Sequence, residues 1–173
     1  MLSVINVLIN GNIDVPSLSE GYQIGDDAGR RPEVGWTSTA PDRQIEIWSA
    51  AMGQTSNGQS VELNANMRGD IYQVIDTIPG DHMFWSLFHK GREGVDTMAV
   101  DIGPESDLNS TYPRGGQKVI SDSSANWVQY SGVYVVPCNQ MRTYFRLRSV
   151  SSTGPDLSYG NLVSHVFFGK FDL

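Results

Sequence analysis

A strand signal that returns roughly every ten residues constrains this chain more than any other feature. Short runs of Val, Ile, Tyr, Phe and Trp are cut by clusters of Gly, Pro, Asn, Asp and Ser, and no apolar pattern sustains three helical turns. Such spacing points to an all-β fold, a sandwich or a barrel. The expected strands are Ser3–Ile9, Gln44–Trp48, Ser60–Asn66, Asp70–Thr77, Met83–Lys90, Thr97–Ile102, Asn126–Val136, Arg142–Val150 and Leu162–Phe168, with a short one at Lys118–Ser121. The stretches Pro16–Pro41 and Gly103–Ser124 read as long polar loops, which in small domains often carry binding residues. With no linker and no fixed-period repeat, the 173 residues read as one domain, 1–173.

Charge removes several function classes. The chain holds 12 Lys+Arg against 19 Asp+Glu, a net charge of −7, so a nucleic-acid or anionic-membrane partner is not expected. No apolar run is long enough for a membrane-inserted helix. The amino terminus lacks the basic region and small-residue cleavage site of a signal peptide. The lone Cys138 excludes an internal disulfide framework and a Cys-rich zinc site, and reads as a bystander thiol.

Alternation identifies a candidate site. In Gln44–Trp48, Ile45 and Ile47 share one face while Glu46 and Trp48 share the other. In Ser60–Asn66, Val61, Leu63 and Ala65 point one way, and Glu62, Asn64 and Asn66 the opposite way. The aliphatic faces belong to the core. If the two strands are neighbours, Glu46, Trp48, Glu62 and Asn64 form a polar-aromatic patch. Tyr72, Gln73, His89 and Arg92 are expected beside it, with Arg92 near enough to orient a carboxylate. On Met83–Lys90, either the Trp85/Leu87/His89 face or the Phe84/Ser86/Phe88 face meets the patch; pattern alone does not decide which.

Carboxylates and amides can bond sugar hydroxyls while an indole stacks on the ring's C–H face, so the patch suits a carbohydrate or glycoconjugate. Glu46 and Glu62 also raise the possibility of a glycosidase pair, which needs one carboxyl with a raised pKa in an apolar pocket. No nucleophile elbow is present, and His82, His89 and His165 lack metal-binding spacing. The expectation is a non-catalytic binding module.

Several segments, in order, resemble one family: Ile9-Asn10-Gly11-Asn12-Ile13, Val34-Gly35-Trp36, Ile45-Glu46-Ile47-Trp48, Val61-Glu62-Leu63-Asn64-Ala65-Asn66, Trp85-Ser86-Leu87-Phe88-His89-Lys90-Gly91-Arg92 and Tyr130-Ser131-Gly132-Val133-Tyr134-Val135-Val136-Pro137. Together they resemble the galactose-binding-like jelly-roll modules of bacterial surface and secreted proteins, which are similar in fold to carbohydrate-binding modules. The resemblance implies a two-sheet antiparallel jelly roll, binding rather than catalysis, a secreted or cell-surface setting, and often a structural calcium ion (Ca2+). The matching metal positions are Asn10, Asn12 and the segment around Leu162–Val166, where Ser164 and His165 stand in place of the expected carboxylate. Asp26-Asp27 reads as a solvated acidic pair. The alternative readings are a lectin-like adhesin or toxin subunit, and a self-assembling structural protein, a homo-oligomer paired through Phe167, Phe168 and Phe171.

Overall fold

A computed structural model describes residues 5–53, 58–110 and 117–170. Among these residues the strands form two antiparallel sheets. The six-stranded sheet has β1 (Tyr22–Asp26), β3 (Gln44–Trp48), β4 (Ser60–Glu62), β11 (Leu162–Lys170), β6 (His82–Lys90) and β9 (Val128–Val135), in the order β1-β3-β4-β11-β6-β9. The five-stranded sheet has β2 (Thr37–Ser38), β5 (Asp70–Asp76), β10 (Arg142–Ser151), β7 (Asp96–Pro104) and β8 (Gln117–Asp122), in the order β2-β5-β10-β7-β8. Among the described residues, helix is confined to the four residues Ala50–Gly53 and two 3-10 turns, at Pro32–Val34 and Glu105–Asp107. This is a two-sheet jelly-roll sandwich: all-β, as the strand spacing predicts, and a two-sheet jelly roll, as the family resemblance implies.

The core is made by the alternation that defines the strands. Ile45, Ile47, Val61, Trp85, Leu87, Val163 and Phe168 face inward from the six-stranded sheet. Ile71, Met98, Val100, Ile102, Phe145 and Leu147 meet them from the other. Phe145 and Phe168 touch across the sandwich, with ring centroids 5.1 Å apart. Each sheet therefore has one dry face and one outer face.

Five expectations need correction. Strands β1 and β2 lie inside the stretch read as a loop; both are edge strands, one short and polar and one of two residues, so their apolar signal is weak. Residues 5–9 are irregular rather than a strand, although Val7 N–H still donates to the Phe168 carbonyl at 2.8 Å; Ser3 and Val4 lie outside the described residues. Strand β4 ends at Glu62, because Leu63 N–H bonds the Asn161 carbonyl as the chain leaves the sheet. Asp27 is fully buried rather than solvated, accepting from Gly29 N–H, Ser38 N–H and Arg43 Nε. Phe168 is a core residue, Phe167 is half-buried and Phe171 lies outside the described residues, so an exposed phenylalanine patch built from this trio is not seen.

The packing makes a direct prediction. Phe168→Ala removes a fully buried ring at the contact between the sheets and is expected to cost about 3–5 kcal/mol. Chemical denaturation followed by tryptophan fluorescence measures it, and a loss under about 1 kcal/mol would contradict this account of the core.

Candidate functional site

Strands β3 and β4 pair directly, in a register that sets Glu46 opposite Glu62 and Trp48 opposite Ser60. Strand β1 adds Tyr22 opposite Trp48. Glu46, Trp48 and Glu62 thus share the outer face of the six-stranded sheet, and the expected juxtaposition of the two acids is present. The carboxylates do not, however, face solvent: Glu46 is 3% exposed and Glu62 1%. Direct bonding of a ligand by these acids is therefore corrected to an internal role.

The two acids sit in different surroundings. Glu62 accepts from Trp48 Nε1 at 2.9 Å, from Gly160 N–H at 2.7 Å, and from Arg92 Nη1 at 3.0 Å to each oxygen. These donors stabilise a charged carboxylate. Burial still raises Glu62 to about 7, against the pull of Gly160, Arg92 and Trp48. Glu46 is raised further, to about 8, by burial and then by the charge of Glu62 facing it. With like acids opposed and the donors concentrated on Glu62, Glu46 is the one that holds a proton near neutrality.

Above the acids the side chains form a layered series. The Arg92 guanidinium lies over the Trp48 ring, 4.7 Å from its centroid, and over Tyr159 at 4.0 Å. Tyr22 stacks on Trp48 with centroids 5.1 Å apart and planes 23° apart. Trp48 is thereby engaged by both Tyr22 and Arg92, and Tyr22, 57% exposed, carries the open ring of the series. Arg92 is held from behind as well, since its N–H bonds Asp96 Oδ2 at 2.8 Å. The fully buried Asp96 also accepts from Thr153 and Asn161, which ties the Arg92 turn to the loop carrying Tyr159. Asn64 is fully buried and supports that loop by donating to the Tyr159 carbonyl at 3.0 Å.

The remaining expected site residues lie elsewhere. His89 is fully buried on the core side of β6, bonded to Asp122 at 2.7 Å and Asn161 at 3.0 Å, so the β6 face joining the patch side is Phe84, Ser86 and Phe88. Tyr72 and Gln73 belong to β5 in the other sheet, and Gln73 bonds the Ile9 backbone through both its amide oxygen and its nitrogen. They do not neighbour Trp48. Tyr22 and Tyr159 were not legible as site residues. One sits in the edge strand read as loop and the other in a turn that reaches the patch only through tertiary contacts.

The donors at the positions matched to a calcium site are already engaged or too few. The Asn10 side chain is committed to its own turn, with Oδ1 accepting from Val15 N–H and Nδ2 donating to the Val15 and Val34 carbonyls. Asn12 is exposed, and Ser164 Oγ is engaged by the Gln59 carbonyl and His165. No group of three or more His, Cys, Asp or Glu suited to a metal occurs among the described residues. A hard divalent ion seeks several oxygen ligands, anionic ones above all, and this set does not fit it.

Comparison with solved structures places the fold. One CBM4 structure matches with a TM-score of 0.53 at 12% identity, over 94% of this chain and 99% of that one. The CBM22-1 xylan-binding domain of Paenibacillus barcinonensis Xyn10C matches with a TM-score of 0.57 at 10% identity, over 90% and 99%. A xylan-binding domain from CBM 22 matches with a TM-score of 0.52 at 16% identity, over 78% and 86%. The chain has the jelly-roll fold of carbohydrate-binding modules. No protein-family model matches the sequence, and no curated protein matches it.

The acid pair predicts a pH dependence of stability. Because Glu46 is raised from 4.5 to about 8, the folded protein keeps a proton that the unfolded chain has released. This contribution is complete below the unfolded value and is lost as pH rises through the folded one. Thermal melts are expected to show Tm falling from mildly acidic to mildly alkaline buffer. Glu46→Gln should flatten that fall by about 2–4 °C per kcal/mol recovered, with little change in acid. An unchanged slope in the variant would show that Glu46 does not carry the effect.

Proposed function

We propose that this protein is a non-catalytic carbohydrate-binding module whose ligand rests on the outer face of the six-stranded sheet, at the rim formed by Tyr22, Trp48, Arg92 and Tyr159. The observation that carries this reading is the layered contact of these four side chains, with Tyr22 exposed at its end. Aromatic rings present apolar area at small entropic cost, and a fixed guanidinium donates to hydroxyl oxygens in a set direction. The fold shared with modules described as xylan-binding supports the same ligand class.

In this reading the acids act on the rim rather than on the sugar. Glu62 and its donors hold Arg92 and Trp48 in place, and the protonated Glu46 lets the two acids share one strand pair. Hydrolysis by an acid pair would require both carboxyls to reach a glycosidic bond, and their burial argues against it.

Calorimetry with soluble xylo- and cello-oligosaccharides tests the proposal. Tyr22→Ala should weaken binding by about 3- to 10-fold, the loss expected for one stacking contact, without lowering Tm appreciably. Affinity unchanged in the variant, or no heat with any sugar, would overturn it.

A further inference from the structure

On β6 the outward residues are Phe84, Ser86 and Phe88, while Met83, Trp85 and Leu87 face the core. The short Ser86 side chain leaves a gap between two phenylalanines. Beside them β11 is irregular: Ser164 pairs with Phe88 but Phe167 pairs with Ser86, so β11 carries one extra residue against β6. His165 takes up that residue in the left-handed region, at φ 49, which is uncommon for a side chain other than glycine and typical of a β-bulge. The bulge brings His165 onto the outer face, edge-on to Phe88 at 6.0 Å and 74°. Phe167 tilts against Phe84 at 6.0 Å and 49°. Asn12 and Gln129, both exposed, add two amides at the rim. The result is an open cleft of about 420 Å³, within the size range of small-ligand sites.

This cleft is distinct from the Tyr22 rim. The register sets Trp48, Ser60, Ser164, Phe88 and Gln129 in one row across the sheet. Ser60 and Ser164, in the middle of that row, are fully buried, so the surface between the two places is covered. From β3 to β6 is three strand spacings, about 14 Å.

We infer that the Phe84–Phe88–Phe167 cleft is a second binding site, taking a short neutral saccharide. Its lining combines apolar ring area with the amides of Asn12 and Gln129 and the Ser86 hydroxyl, the pairing that a sugar's C–H faces and hydroxyls require. Among the described residues no Lys, Arg, Asp or Glu lines it, so beyond the His165 ring an ionic ligand would find no counter-charge. A purely apolar peptide segment would leave the two amides and the hydroxyl unpaired on binding. The ligand class rests on the proposed carbohydrate-binding function; the location does not.

Backbone-amide NMR on labelled protein, titrated with xylohexaose, cellohexaose and mannohexaose, separates the two sites. At least one sugar is expected to shift the amides of Ser86, Gln129 and His165. Gln129→Ala, on an exposed strand position that leaves folding intact, should weaken that response several-fold. Phe88→Ala should reduce it by about tenfold or more, and Tyr22→Ala should leave it unchanged. Shifts confined to the surroundings of Tyr22 and Trp48 would overturn this inference and leave the proposed function standing. Shifts confined to the cleft would support it and remove the Tyr22 rim from the binding surface. Shifts at neither place, or cleft shifts that follow protein concentration without sugar, would overturn it.

Discussion

The ion pair between Glu62 and Arg92 is the contact on which the outer face of the six-stranded sheet depends. A carboxylate taken almost wholly out of water is tolerated only with donors arranged around it. Glu62 has donors from three parts of the chain: the indole of its neighbouring strand, the guanidinium from the turn after β6, and a backbone N–H from the loop before β11. Each is thereby placed by the same charge. The indole cannot turn without losing Glu62, and Arg92 cannot leave without stranding it. Rings near a sheet edge, which would otherwise sample several rotamers, are held in one order.

The two outer faces handle polar groups differently. On the five-stranded sheet, Asp101 is fully buried and bound by Arg146 and Arg148, at 2.8 Å and 2.7 Å, and Arg146 also donates to the Leu108 carbonyl at 3.0 Å. On the six-stranded sheet the Glu46 and Glu62 carboxyls lie at the bottom of the layers, with the Arg92 guanidinium, rings and neutral amides above them. That division buries the acidic charge where it sets geometry and leaves rings, amides and one guanidinium where a ligand arrives. It agrees with the proposed recognition of an uncharged sugar by a chain whose net charge is −7.

Much of the architecture was legible because alternation is local. Ile45 and Ile47 against Glu46 and Trp48, or Val61 against Glu62, state which way each strand faces, and the core takes Ile45, Ile47 and Val61 while the acids and the indole stay on the outer side. What stayed hidden was set by partners distant in sequence. Strand β1 exists because β3 offers it an edge, not because Tyr22–Asp26 is strongly apolar. His89 has the same alternation whether its face meets ligand or core, and only pairing with β9 and β11 decides. The nearness of Glu46 to Glu62 was readable, but their burial was not, since Arg92 and Tyr159 arrive from other turns. The bulge at His165 leaves no mark in composition, and it moves the apolar register of β11 by one residue.

That bulge also links the two ends of the chain. Val166, at its inner side, donates its N–H to the Gly11 carbonyl at 2.9 Å and accepts from Asn6 Nδ2 at 2.9 Å. Gly11 has no room for a side chain there, because a Cβ would collide with Asn6 and the Val166 carbonyl. The amino-terminal segment, irregular as it is, works as a clasp on the last strand. Trimming it, or adding bulk at Gly11, would relax the kink from behind and reshape a surface hollow that the segment supports largely from the opposite side of the strand.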